Sequence, residues 1–106
     1  MKLKRAEAAY IAGLFDGEGS CWIDRREGRR RPRIHISNTD KKILKWVRNK
    51  VGVGNVTYFN YKAHGYRNRK PLFQFEAVSN EARAFLKSIL PFLRIRRKAV
   101  HAILSK

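Results

Sequence analysis

"IAGLFDGEGS", residues 11–20, decides how the rest of this chain is read. Three glycines and two acids follow an apolar, alanine-rich lead-in. A glycine inside a helix costs about 1 kcal/mol against alanine. Asp16 and Glu18 stand at the end where a helix dipole favours cations. Each feature therefore needs a reason beyond an ordinary surface helix. Lys4 to Phe15 reads as that helix, because Ala6, Ala8, Ala9 and Ala12 favour it and no proline interrupts. Ile11, Leu14 and Phe15 form a bulky stripe. Ala6, Tyr10, Gly13 and Gly17 form a smaller one at spacings of four, three and four. Its missing side chains let another backbone come close, from within the chain or from a second copy. The two acids call for a compensating cation, and a divalent metal is the obvious candidate.

Composition names a partner class. The 106 residues include 25 Lys and Arg against 8 Asp and Glu, a formal charge of +17. Such self-repulsion in a chain of one-domain length points to a polyanion. A basic ribosomal or chromatin-like protein fits the composition equally well. A membrane-surface role does not, since no long amphipathic basic helix occurs. Cys21 is the only cysteine, which excludes an internal disulfide and a cysteine-rich zinc site. "MKLKRAEAAY" has no apolar signal core, and no run reaches transmembrane length. The expectation is a soluble, intracellular protein of a bacterial or phage cytoplasm or an organelle.

Downstream, "SCWIDRREGRRRPRIHIS" alternates. Cys21, Ile23, Ile34 and Ile36 share one parity within their runs. Trp22, Asp24, Arg26, Arg31, Arg33 and His35 share the other. This is a hairpin with one apolar and one polar face, turning at Gly28, with Pro32 at a strand start or edge. "NTDKKILKWVRNKVG" is a second helix, capped by Asn38 or Thr39, with Asp40 complementing the dipole and Gly52 ending it. "GNVTYFNY" and "PLFQFEAVS" form a second hairpin around the basic loop "KAHGYRNRK". Ser79 or Asn80 caps a third helix, Glu81 to Leu90, which Pro91 stops. Arg94 to Leu104 is a fourth. The fold class is α+β, with a four-stranded antiparallel sheet, helices on one face and the other face open.

A seven-residue strand spans about 23 Å, roughly seven base pairs of a duplex. Arginines alternating off such a ribbon can read guanine, and Asp24 can accept from a cytosine amino group. Asp24 can equally pair with a neighbouring arginine. The run "RREGRRRPR" reads as a nucleic-acid surface, whereas His35 alone means little. Tyr58, Phe59, Tyr61 and Tyr66 can stack single-stranded bases, although core or sheet-edge packing is the ordinary use of such residues.

"IAGLFDGEG" resembles the LAGLIDADG motif of homing endonucleases, with Ile11 for the first Leu, Phe15 for Ile, Gly17 for Ala and Glu18 for the second Asp. "ISNTDKKIL", "VGVGNV" and "LPFLRIRRK" resemble later landmarks of that family. The resemblance covers the chain, residues 1–106, as one domain of αββαββα(α) order with a saddle-shaped sheet. It implies a site-specific double-strand DNA endonuclease that uses Mg²⁺ or Mn²⁺ and no small-molecule cofactor. A single motif implies a homodimer through Ala6, Tyr10, Gly13, Asp16 and Gly17. It further implies that Glu18 is the metal ligand, helped by the Gly17 carbonyl, while Asp16 holds the helix end. Asn38 matches a polar active-site position. Arg96 stands where many members carry lysine. Arginine is a poor proton shuttle, so Lys98 or Arg97 stays an alternative. The implied DNA face comprises Trp22, Asp24, Arg26, Arg29, Arg30, Arg31, Arg33 and His35, together with Thr57, Phe59, Arg67, Arg69, Gln74 and Glu76 from the second hairpin. The implied cuts leave short 3′ overhangs on a long, near-palindromic site. Two other readings stay open: a non-cleaving binder of the same fold (an intron maturase or regulator), and a structural RNA-binding protein.

Overall fold

The computed structural model describes residues 3–59 and 72–105. Helix α1 (Arg5–Glu18) runs directly into strand β1 (Gly19–Asp24). A 3-10 turn (Arg26–Gly28) leads to β2 (Arg31–Asn38), then α2 (Lys41–Val51), β3 (Asn55–Phe59), β4 (Leu72–Val78) and α3 (Ser79–Ile89). A second 3-10 turn (Leu90–Phe92) precedes α4 (Arg97–Leu104). All pairings are antiparallel, in the order β1-β2-β4-β3, so the two hairpins join through β2 and β4. No helix is long and apolar enough to cross a membrane among the described residues.

Alternation builds the two faces. Cys21 pairs with Ile34, Gly19 with Ile36, Ile34 with Ala77 and Ile36 with Phe75, all on the covered side. There Ile11, Ala12, Phe15, Leu44, Val47, Phe85, Leu86, Ile89 and Val100 complete a fully buried core. The Phe15 and Phe75 rings both meet Phe85, with centroids 5.8 and 5.5 Å away. Trp22, Arg33, His35, Gln74 and Glu76 have the opposite parity and remain on the open side. Pro32 is tolerated because pairing with β4 begins only at Arg33, where β2 has gained its second neighbour.

Several local expectations change. Asp40, not Asn38 or Thr39, caps α2, its Oδ1 accepting from Lys42 N at 2.8 Å and Ile43 N at 3.4 Å. Asp40 immediately precedes the first helical residue, whereas Asn38 still belongs to β2. Helix α3 starts at Ser79 straight from β4, without a side-chain cap from Ser79 or Asn80. Helix α4 begins at Arg97 rather than Arg94, because residues 94–96 form an irregular segment tied to α1. Arg26 lies in the turn, not on the strand.

Gly19 allows the abrupt helix-to-strand junction. A Cβ there would lie 2.7 Å from both the Phe15 carbonyl oxygen and its ring Cε1. Phe15 is fully buried and cannot yield. Gly19→Ala is therefore expected to cost about 2 kcal/mol through overpacking. Urea unfolding should show a lower midpoint at unchanged slope.

Candidate helix-end site and nucleic-acid interface

The two acids of the opening stretch do different work. Asp16 is 8% exposed and turns into the molecule. Its carboxylate accepts from the backbone N–H groups of Arg94 (2.8 Å), Ile95 (3.1 Å) and Arg96 (2.9 Å). Burial pushes its pKa up, but those three donors outweigh burial and hold it below the usual carboxylate range. Asp16 thus secures the segment leading into α4. The resemblance also implied Asp16 at the dimer contact, but its carboxylate is turned into the chain and not onto the exposed stripe of Ala6, Tyr10, Gly13 and Gly17.

Glu18 is exposed in the last turn of α1. Asn38 Nδ2 donates to its Oε2 at 2.7 Å. The Asn38 Oδ1 accepts from Asp40 N at 2.8 Å, which fixes the amide orientation and aims Nδ2 at Glu18. Two residues 20 apart in sequence are thereby joined at one end of the sheet. Arg96 reaches the same helix end, donating from Nε to the Phe15 carbonyl at 3.1 Å. Lys98 and Arg97 are exposed in the first turn of α4.

The last turn of α1 carries no basic residue. The Phe15 carbonyl there accepts from Gly19 N and from Arg96 Nε, while the Glu18 carboxylate stands exposed at the negative end of the dipole. A carboxylate is a hard oxygen donor of the kind Mg²⁺ and Mn²⁺ take. No group of three or more metal-ligating side chains occurs among the described residues.

Ala6, Tyr10, Gly13 and Gly17 line the outside of α1, with Tyr10 54% exposed. A Cβ on Gly13 or Gly17 would meet nothing within 4 Å. Among the described residues, the two glycines serve no close packing within the chain.

On the open sheet face, Trp22 stands opposite Arg33 and meets His35 edge-on at 5.2 Å. His35 pairs with Glu76, and Ser37 with Gln74. Burial lowers the His35 pKa, Glu76 raises it and Arg96 lowers it, leaving a net fall and a neutral imidazole at pH 7. Gln74 Nε2 donates to Ser37 Oγ at 3.2 Å, and Thr57 Oγ1 to Glu76 Oε1 at 3.5 Å. Arg29 and Arg30 are exposed between the turn and β2. Phe59 ends β3. Arg67, Arg69, Tyr61 and Tyr66 lie outside the described residues. Ser37 was not singled out from the sequence, although its parity with Arg33 and His35 was available.

Asp24 differs from a free base reader. Arg26 donates to it from its backbone N (3.0 Å), from Nε to both oxygens (3.1 Å each) and from a terminal nitrogen (2.8 Å). Arg33 Nε lies 2.8 Å from its Oδ2. The Arg26 hydrogen bonds, helped by the Arg33 charge, hold the Asp24 carboxyl far below its ordinary pKa.

The family model of the LAGLIDADG-like domain matches residues 5–90. No curated protein matches the chain. Among solved structures, the homing endonuclease I-CvuI in complex with the I-CreI target aligns with a TM-score of 0.74 at 22% identity, covering 95% of this chain and 65% of that one. The archaeal intron-encoded homing endonuclease I-Vdi141I complexed with DNA aligns with a TM-score of 0.68 at 17% identity, covering 94% and 65%. The LAGLIDADG meganuclease I-AabMI bound to uncleaved DNA gives 0.70 at 18%, covering 92% and 35%. The chain thus spans about two thirds of the first two structures and about a third of the last.

Proposed function

The chain belongs to the LAGLIDADG homing-endonuclease family, and from that premise we propose that it is a site-specific double-strand DNA endonuclease acting as a homodimer inside the cell. One observation carries the reading. The exposed motif acid, Glu18, ends the same helix whose outer glycine stripe is left open. Two copies meeting along Gly13 and Gly17 bring two Glu18 carboxylates together and place two basic sheet faces side by side. A twofold protein reads a near-palindrome, so the target is long and symmetric. The proposed cuts leave short 3′ overhangs.

Glu18 and the Gly17 carbonyl are the groups that would hold Mg²⁺ or Mn²⁺. Such an ion, when bound, supplies Lewis-acid assistance to hydrolysis of the phosphodiester. The chain's own residues prepare the site. Asn38 fixes the Glu18 carboxylate through the 2.7 Å hydrogen bond. Arg96, anchored on the Phe15 carbonyl, contributes a permanent positive charge near the helix end. A guanidinium is a poor proton shuttle, so Lys98 is the alternative where a transferable proton is needed, with Arg97 as a further fixed charge. Trp22, Arg31, Arg33, His35, Gln74 and Glu76 face the duplex, and Arg29 and Arg30 grip its phosphates.

A randomised duplex library incubated with the protein in Mg²⁺ or Ca²⁺ tests the reading. Cut ends clustered on one symmetric sequence in Mg²⁺ are expected. Binding without any cut, with either Mg²⁺ or Mn²⁺, would identify a non-cleaving nucleic-acid binder of the same fold. The dimer has its own test. Gly13→Leu puts a bulky side chain on the open stripe and should weaken dimerisation by at least about tenfold. Sedimentation velocity reads this, and a wild type that is monomeric at micromolar concentration with and without DNA would sink the homodimer.

A further inference from the structure

Asp24 is surrounded. Its Oδ1 receives two contacts from Arg26, and its Oδ2 receives two more from Arg26 and one from Arg33. Three donors of Arg26 and the Arg33 guanidinium crowd both oxygens, so a cytosine amino group would have to displace an arginine to reach them. The carboxylate is also recessed, its side chain 10% exposed against 77% for Arg26. An acid so enclosed by arginines acts on those arginines rather than on a base.

Arg33 is the one it orients. Its Nε lies 2.8 Å from Asp24 Oδ2 as a close ion pair without hydrogen-bond alignment, and it has Trp22 and Val78 as its cross-strand neighbours on β1 and β4. The terminal nitrogens of Arg33 make no hydrogen bond among the described residues. The Asp24 charge therefore draws the guanidinium to this corner while its fork stays without partners among the described residues. That fork matches guanine O6 and N7 end-on. A cleft of about 260 Å³, lined by Asp24, Arg26, Glu27, Arg31 and Arg33, gives a base edge access to this corner. A pre-oriented fork discriminates better than a loose one because the ordering is done before DNA arrives.

We propose that Asp24 is a positioning residue that holds Arg33 as a guanine reader, so that base specificity at one position of each half-site depends on an acid that touches no base. The inference rests on the DNA-reading function above. It predicts that loss of Asp24 relaxes one position and leaves the remainder of the footprint intact. It also predicts that the loss of a negative charge does not weaken binding to arbitrary DNA, since phosphate attraction increases.

The test is selection of bound duplexes from a randomised pool, in EDTA so that nothing is cut, with wild type, Arg33→Ala and Asp24→Asn. Wild type should enrich guanine at a position that Arg33→Ala flattens. Asp24→Asn should flatten that same position by at least about fivefold, the lower end of what one bidentate base contact supplies, with every other position retained. General loss of structure would blur all positions together. If Asp24→Asn does not fold, Asp24→Glu keeps the charge, displaces the carboxylate by one methylene and should flatten the same position. An unchanged profile overturns the proposal, as does loss of a cytosine preference at a different position, which would make Asp24 itself the reader. A wild type that enriches no sequence overturns the DNA-reading function, and this inference with it.

Discussion

Glu18→Gln is expected to bind the target as well as wild type and to cleave it about 10³-fold more slowly or not at all. The substitution removes one negative charge and little else. A glutamine keeps the side-chain length, and its carbonyl oxygen can still accept from Asn38 Nδ2, which lies 2.7 Å from the carboxylate in the native site. The local shape therefore survives. What goes is the one carboxylate at the end of α1 that is both exposed and uncommitted to the backbone. A neutral amide is a weak ligand for a hard dication, and the loss of about 4 kcal/mol of transition-state stabilisation is a factor of about 10³ in rate. Gel shift in Ca²⁺ measures binding, and product formation in Mg²⁺ measures cutting. Normal cleavage by the variant would remove Glu18 from the role of metal ligand.

The second large effect is on stability. Asp16→Ala should destabilise the fold by about 3 kcal/mol, because three charge-assisted hydrogen bonds to residues 94–96 are lost together. The affected amides are exposed or half-buried, so water replaces part of the loss. For a domain of this size the midpoint of thermal unfolding should fall by about 15 °C. The pH dependence identifies the mechanism. The folded-state pKa of Asp16 is depressed, so its contribution is present above the unfolded carboxylate value of about 4. It is lost as pH falls from there through the folded value. Asp24 and Glu7 are depressed too, so wild type and variant will both weaken in acid. The gap between their stability curves should be widest at neutral pH and close below pH 4. A gap that stays constant into acid would mean that the Asp16 contacts contribute through shape and not through charge.

Both effects depend on the division of labour between two acids two residues apart. Residues 16 and 18 differ by about 200° around an α-helix, so the two acids cannot share one face. Periodicity alone does not say which turns inward, because Ile11 and Phe15 lie closer in helical phase to Glu18 than to Asp16. The fold decides it: the segment before α4 supplies three donors to Asp16, while Glu18 stays exposed at the helix end. What Asp16 grips was not legible, because residues 94–96 are about 80 positions away.

The sheet, by contrast, was legible. A period of two in "SCWID" and "RPRIHIS" leaves only one way to bury Ile34 and Ile36, and the open face follows without further information. Helix boundaries were less secure. Asn38, Thr39 and Asp40 are all competent caps, and the choice depends on where strand pairing stops. Pairing of Asn38 with Phe73 keeps it in the strand and leaves the cap to Asp40.

By itself, the sequence determined the element order, the basic face, the small-residue stripe and the two acids at the end of its helix. These are written in local periodicity and charge, which the chain carries wherever it folds. The tertiary structure alone decided that Asn38 meets Glu18, that Arg96 sits on Phe15, that Asp16 faces inward to the segment before α4, and that Asp24 is closed off by Arg26 and Arg33. Whether a carboxylate is free to act depends on which donors surround it. Here the donors to Asp16 and Glu18, and the Arg33 beside Asp24, come from elements distant in sequence, whereas Arg26 is a local partner two residues on.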